Sequence, residues 1–487
     1  MMTTETSGSN RPRRGNRRRS SGSIKKNPFG EGNARAVAYD LATRAFSGAE
    51  GFDQIWDIDP GLVALPQRER ALAIHLAAGV LRHLRRLDAQ ARGLTDGKSA
   101  DLSEPVQWIL RLGLFQIIDC DRIPPHAAVS TAVDAAKVVS HQGIAGLLNA
   151  VLRRAAREKR EGVVAVPPPG APAAAAKEGE ATESAIWGER LSVPDWLVEL
   201  LFARFGREAA TRIGRWANSP PSYYFRLAQE GGGFKRLQEL VGAHELGTTR
   251  QHAEFTEYAT VSTSALASGS PLFAEPLGWV QNPAAGLVVR LLDPQPGDSV
   301  IDLFAAPGGK TMAIAERIGP SGQVLAVDKN EKRLQRVIDN KTRLTFDQIL
   351  PIVGDVTRLG PRSAQRVLAD VPCSALGTLP KNPEVRWTKT PADVDRLGRS
   401  QRIWLAAAAG HVAPEGVLVY ATCTLSPQEN ENVVSGFLSD HPDFVVEPAR
   451  SWIDARYVTP DGYLQTSPPF DGLDGVFAAR LRRRSAP

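Results

Sequence analysis

Cysteine is scarce in this sequence: Cys120, Cys373 and Cys423 are the only three among 487 residues. So few thiols in so long a chain exclude a disulfide framework. No C-x-x-C pair or His/Cys cluster has the spacing of a metal site, so no metal is expected and any cysteine chemistry is that of reduced thiols. Long apolar runs are missing as well. Stretches such as 403–410 and 349–353 fall far short of the roughly 20 residues that span a bilayer, so no membrane partner is expected. The N-terminus lacks the apolar segment of a secretory signal, which makes the cytoplasm the expected compartment. A broad excess of one charge is also lacking. The net charge is +6, yet residues 1–28 alone hold eight basic side chains (Arg11, Arg13, Arg14, Arg17, Arg18, Arg19, Lys25 and Lys26) against one acid, Glu5. The rest of the chain is therefore close to neutral. A generally basic body is excluded, and nucleic-acid binding needs a local patch, with the tail as a salt-sensitive auxiliary.

What is present is ordinary folding material, 42% hydrophobic and 23% charged, in a chain long enough for two to four cores. Residues 1–28, rich in Arg, Ser, Gly and Asn, have little to bury and read as a disordered basic tail. From 29 to 160 the apolar residues follow helical spacing: Val37, Leu41 and Ala45; Leu72, Leu76, Val80 and Leu84; Leu148, Val151, Leu152 and Ala155. This predicts an all-α domain. Residues 161–186, rich in Pro, Gly and Ala, read as a linker. Residues 187–275 combine a helical stretch (196–205) with strand-like 223–227 and read as a small α+β unit. From 276 to 487 strands and helices alternate: strands at 300–304, 324–327, 349–353, 367–369 and 417–420, helices at 311–318, 331–344 and 403–412. That alternation predicts an α/β domain of Rossmann-like type, a parallel sheet covered on both faces.

The chemistry-bearing residues fall at the predicted strand ends, where open parallel sheets bind ligands. Asp302-Leu-Phe-Ala-Ala-Pro-Gly-Gly-Lys-Thr311 joins a strand to a helix, with Gly308 and Gly309 allowing close backbone approach beside free helix N–H groups. A phosphate-binding loop would need glycine at 304, where Phe304 stands, so a P-loop NTPase is excluded. Asp328 ends the next strand, placed to accept both ribose hydroxyls of a nucleoside. Asp355 ends the third, placed for an adenine edge, and Asp370 ends the fourth. One such aspartate is an ordinary helix cap or turn former; three at successive strand ends, beside a glycine loop, describe a nucleoside site. Cys373, in Asp370-Val-Pro-Cys-Ser374, and Cys423, in Tyr420-Ala-Thr-Cys-Thr424, lie just past adjacent strands at the same end.

These segments resemble a known family. DLFAAPGGKT (302–311), DVPCS (370–374) with NPEVRW (382–387), and YATCTLSPQENENVV (420–434) are similar to three motifs of the RNA (cytosine-5) methyltransferases. The likeness runs over roughly 190–487 and takes in Gln281-Asn-Pro283 and Asp474-Gly-Val-Phe-Ala-Ala-Arg480. In the helical region Gly79-Val-Leu-Arg82, Phe115-Gln116, Pro125-His-Ala-Ala-Val129 and Asn149-Ala-Val-Leu-Arg-Arg154 resemble the NusB-type RNA-binding fold. The fusion of the two resembles the RsmB (Sun/Fmu) branch, which implies small-subunit (16S) rRNA as substrate and partner and S-adenosyl-L-methionine as cofactor. By that resemblance Phe304, Ala305, Ala306, Pro307, Gly308, Gly309, Lys310, Asp328, Asp355 and Asp370 hold the cofactor. Cys423 is the nucleophile, and Cys373 assists release of the methylated base. Departures from the pattern are Phe304 for the family's usual cysteine, Ser374-Ala-Leu-Gly377 for Ser-Gly-Thr-Gly, and Pro380 for arginine.

The chemistry suits these residues. Carbon 5 of cytosine is a poor nucleophile until a thiolate adds at carbon 6, and a thiolate is both strongly nucleophilic and able to leave. Asp370 is a further catalytic candidate, able to hydrogen-bond the cytosine N3/N4 edge and stabilise the charge that develops during addition. The target base must be unpaired or flipped out. The segment 381–387 is expected to offer a cation to phosphate and Trp387 to a stacked base, unless the indole is buried in the core. The chain is expected to act as a monomer. Alternatives are a tRNA or large-subunit rRNA substrate for the same chemistry, or a non-catalytic, antitermination-like RNA-binding module. Against the latter stand the intact cysteines and cofactor set.

Overall fold

The computed structural model describes residues 27–48, 51–52, 59–162, 182–229, 232–266 and 269–485. The basic tail, apart from its last two residues, and most of the expected linker lie outside them.

The N-terminal region is all helical. Helix Ala34–Phe46 is capped by Asn33, whose side chain accepts from the amides of Arg35 and Ala36, and it buries Val37, Leu41 and Ala45 as their spacing requires. The second predicted apolar series is split. Leu76 and Val80 lie in helix Gln67–Arg82, whereas Leu84 begins helix Leu84–Leu94 after a break at His83. Glycine sets the packing distance: a Cβ on Gly79 would lie 2.0 Å from the ring of Phe115, so these helices meet only because that side chain is absent. Helices Glu104–Asp119, Pro125–Val139 and Gln142–Arg160 complete the domain.

Helix Glu183–Leu191 starts within the segment read as linker, and helix Asp195–Ala217 follows, kinked at Gly206 (φ 73°). The middle sheet is antiparallel in the order β2-β3-β1-β4, with β1 Tyr223–Leu227, β2 Thr249–Gln251, β3 Tyr258–Val261 and β4 Gly278–Val280. Its last strand falls beyond residue 275 and leads directly into helix Pro283–Leu292.

The C-terminal sheet contains β5 Ser299–Leu303, β6 Gln323–Asp328, β7 Ile349–Val353, β8 Ala364–Asp370, β9 Val412–Thr422, β10 Phe444–Val446, β11 Leu464–Gln465 and β12 Phe477–Arg483. The order is β10-β12-β9-β8-β5-β6-β7, with β11 pairing β12. Strands β5 to β9 are parallel as expected. The sheet as a whole is mixed, a correction to the purely parallel expectation: β12 runs antiparallel to β9, β10 and β11. The chain winds from β5 outward to β7, then returns to β8 on the other side of β5, so the crevice where connections diverge lies at the carboxyl ends of β5 and β8.

The helical domain is seated against this α/β body through the segment after β8. Arg386 is fully buried and donates to the carbonyls of Arg82 (3.3 Å), Ser192 (3.2 Å) and Ala217 (2.6 Å) and to Asn218 Oδ1 (2.7 Å). Arg82 answers with two bonds to the Pro380 carbonyl, at 3.1 and 2.7 Å. Trp387 Nε1 donates to the Leu81 carbonyl at 2.7 Å, and its ring packs on the helical core. Of the two readings of 381–387, the one with the indole buried is the one found: the Trp387 indole and the Arg386 guanidinium join domains. Among the described residues no helix is long and apolar enough to cross a membrane.

Candidate active site

The turn after β5 is built by its own side chains. Phe304 takes a left-handed φ of 63° and Gly308 one of 108°. A Cβ at Gly308 would meet Val337 at 3.2 Å, so the tight passage between strand and helix requires glycine there. Thr311 Oγ1 donates to Asp302 Oδ2 at 2.6 Å, tying the helix start back to the strand. Trp279 Nε1 and Gln281 Nε2 donate to the Gly309 carbonyl at 3.0 and 2.8 Å. The middle unit thus braces the loop from outside.

Most of the sequence-selected residues meet in one cavity of about 320 Å³. Phe304 through Lys310, Asp370 and Cys423 all line it, together with Asp302, Thr378, Lys381 and Asp474. Phe304 also borders an adjoining slot with Asp328, Asp355 and Trp404, its ring 5.3 Å from that of Trp404. Asp328, only 4% exposed, accepts from the Ala306 amide (3.2 Å) and the Asn330 amide (2.8 Å). Each carboxylate oxygen keeps a further lone pair for a ligand hydroxyl. An aromatic slot ended by Asp355, an acidic anchor at Asp328 and a glycine cradle suit an adenine nucleoside.

Cys373 does not line that cavity. It lies behind Cys423, the two Sγ atoms 3.3 Å apart, with the Cys423 amide also 3.3 Å from Cys373 Sγ. Adjacent parallel strands explain the meeting: β8 and β9 pair through Asp370 and Ala421, so the turns that follow them lie side by side. The hydrogen bond to Cys423, burial, and the charges of Cys423 and Glu429 push the Cys373 thiol well above its usual range, so Cys373 keeps its proton. Lys310 Nζ donates to Asp370 Oδ2 at 2.6 Å. Burial pulls this ammonium down, but Asp370 and then the Cys423 charge outweigh it and hold its pKa above the ordinary value. The cation is therefore paired with a carboxylate and lines the same cavity as the Cys423 thiol.

Residues 289–482 match the family described as 16S rRNA methyltransferase RsmB/F, and residues 34–157 match the NusB family. The probable ribosomal RNA small subunit methyltransferase B of Synechocystis sp. is 34% identical to this chain, over 85% of it and 91% of that protein. The ribosomal RNA small subunit methyltransferase B of Klebsiella pneumoniae subsp. pneumoniae is 31% identical, over 93% and 98%. The chain belongs to the RsmB/F methyltransferase family. Members of this family are S-adenosylmethionine-dependent. The crystal structure of PH0851 shares the fold with a TM-score of 0.72 at 22% identity, covering 92% of this chain and 98% of that one. NSun6 from Pyrococcus horikoshii does so with 0.53 at 21%, covering 60% and 99%.

Within this RsmB/F chain the departures from the usual motif have local consequences. Ala375, where glycine is usual, adopts the left-handed φ of 57° that glycine would take at less cost. Pro380, in place of arginine, contributes its carbonyl to Arg82. Several site residues escaped the sequence reading. Asp302 is fully buried, and burial pushes it up to about 7, opposed by the Thr311 hydrogen bond and aided by the Asp370 charge. Lys381 pairs with Asp474 at 2.5 Å on the cavity wall. Glu429 lies beneath both cysteine turns. Asp302, Asp474 and Glu429 each sit inside a segment that resembled the family, so position was available but not role.

Proposed function

We propose that this protein methylates carbon 5 of a cytosine in small-subunit ribosomal RNA through a covalent bond between Cys423 and carbon 6. The observation that carries this reading is the common cavity: Cys423, the glycine turn and the Lys310–Asp370 pair face one space. The small-subunit substrate is supported by the names of the relatives, which cover nearly their full length.

S-adenosylmethionine, when bound, supplies an electrophilic methyl group; Phe304 to Gly309, Asp328 and Asp355 would hold it. Asp370 accepts a hydrogen bond from the exocyclic amine of an extruded cytosine. The Lys310 ammonium, which the Cys423 charge helps to hold protonated, offsets the negative charge that addition drives into the ring. Addition to carbon 6 makes carbon 5 enamine-like and reactive. After methylation the carbon-5 proton passes to solvent and its electron pair expels Cys423 as the thiolate that first added, while the Cys373 thiol, 3.3 Å away, keeps its proton and hydrogen-bonds the leaving sulfur. This extends the expected role of Lys310 from cofactor contact to the thiol and base.

Incubating the purified protein with methyl-labelled cofactor and small-subunit rRNA, followed by nucleoside analysis, tests the reading. Label in 5-methylcytidine supports it; label in another nucleoside, or only with tRNA or large-subunit rRNA, contradicts it.

A further inference from the structure

Two turns from different strands must be held in register for their sulfurs to meet. The residue after Cys373 is Ser374 and the residue after Cys423 is Thr424, both buried. Their hydroxyls lie 2.7 Å apart, and both turn to one carboxylate. Glu429 Oε2 accepts from Ser374 Oγ and from Thr424 Oγ1 (3.2 Å). Its Oε1 accepts from the Ser374 amide (2.9 Å) and from Gln401 Nε2 (3.0 Å). Gln401 Nε2 also donates to the Pro372 carbonyl at 3.0 Å, so the Cys373 turn is gripped on both sides of the thiol. The adjoining Asn430 fastens the other turn: it accepts from Thr422 Oγ1 at 2.6 Å and donates to the Thr424 carbonyl at 3.1 Å.

Glu429 is wholly buried, and the groups that bind it are hydroxyls and amides rather than cations. A carboxylate is retained in such a place only when donors replace the lost water on both oxygens. Here the donors come from both cysteine turns, and no other acidic group bridges them among the described residues. We propose that Glu429 is the positioning residue that gives the two thiols their separate roles, holding Cys423 Sγ on the cavity wall and Cys373 Sγ behind it. The inference rests on the reading that Cys423 attacks and Cys373 assists. The direction of the Cys373 shift agrees with it, since the Glu429 charge adds to the forces that keep that thiol protonated.

Timed alkylation of the full chain with iodoacetamide, with each cysteine followed by peptide mass spectrometry, tests the clasp without RNA or methyl donor. In the unaltered protein Cys423 should react at least about tenfold faster than Cys373, because Cys423 lines the cavity and Cys373 does not, and the Cys373 thiol is held protonated. Glu429→Ala and Thr424→Val should bring that ratio below about threefold by releasing one or both turns. Thr424→Val keeps side-chain shape, so it carries the test if the alanine variant does not fold. A ratio unchanged in a folded Thr424→Val or Glu429→Ala protein overturns the proposal, as does equal reactivity in the unaltered chain. Failure to form 5-methylcytidine would sink the cytosine reading while leaving the alkylation result intact, so the two failures are separable.

Discussion

Two buried clusters of charge, one between domains and one at the sheet's end, are solved in opposite ways. At the domain seam, Arg82 and Arg386 are almost completely enclosed and donate to backbone carbonyls and one asparagine. Burial, reinforced by their mutual repulsion, pulls Arg386 down to about 9, and it remains a cation at neutral pH. At the sheet's end, Lys310, Asp370, Asp302 and Cys423 are also shielded, but they open onto a cavity. A closed polar cluster fixes geometry; a cluster that faces a cavity retains interactions for a substrate. Stability should therefore follow the seam, and activity the sheet's end.

The sharpest way to break that contrast is Cys423→Ala. It should lower methyl transfer by roughly 10³-fold or more, since the covalent route disappears, while thermal unfolding changes little. Loss of stability comparable to a seam variant would erase the distinction. Lys310→Met should cost roughly 10²- to 10³-fold in turnover, because a preorganised cation next to developing charge is removed. Steady-state kinetics with the cofactor saturating would measure it. Arg386→Ala is the converse. Four acceptors lose their donor and a cavity opens, so denaturant unfolding should register a loss of about 3–5 kcal/mol, with turnover per folded molecule far less affected than in Lys310→Met.

The smallest effect sharpens the comparison through pH. An unfolded aspartate gives up its proton near pH 4, about its usual pKa, whereas burial makes Asp302 keep it to about 7. Between those values the folded state binds the extra proton, so stability falls as pH rises from about 4 to 7 and levels off above. Asp302→Asn should flatten this slope, reducing the fall between pH 5 and 7.5 by roughly 2 kcal/mol in denaturant titrations. An unchanged slope would mean that Asp302 is ionised in the fold.

Much of the catalytic domain was legible because its signals are local. The glycine turn, the aspartates at strand ends and helix Glu331–Leu344 can each be read from a few neighbouring residues. The antiparallel strands were not. Phe477–Arg483 carries three arginines and pairs through residues far away in sequence, and β10 has only three residues. Helix Pro391–Ala409 begins well before the apolar run at 403 that announced it, because Thr390 and Asp393 form a capping box at its start. The seam was left open in the sequence for a deeper reason. Whether an arginine meets RNA or carbonyls depends on partners such as Arg82, Ser192 and Asn218, none of which lies near it in the chain. The same holds for Glu429, whose partners are only close once β8 and β9 have paired.

The most direct measurement uses small-subunit rRNA containing 5-fluorocytidine, whose carbon 5 has no proton to release after methylation, so the enzyme–RNA bond cannot be undone. Incubation with S-adenosylmethionine should give a denaturation-resistant protein–RNA complex, with the nucleotide on the Cys423 peptide and no complex from Cys423→Ala. Attachment through Cys373 instead, or undiminished methylation of unmodified RNA by Cys423→Ala, would contradict the account.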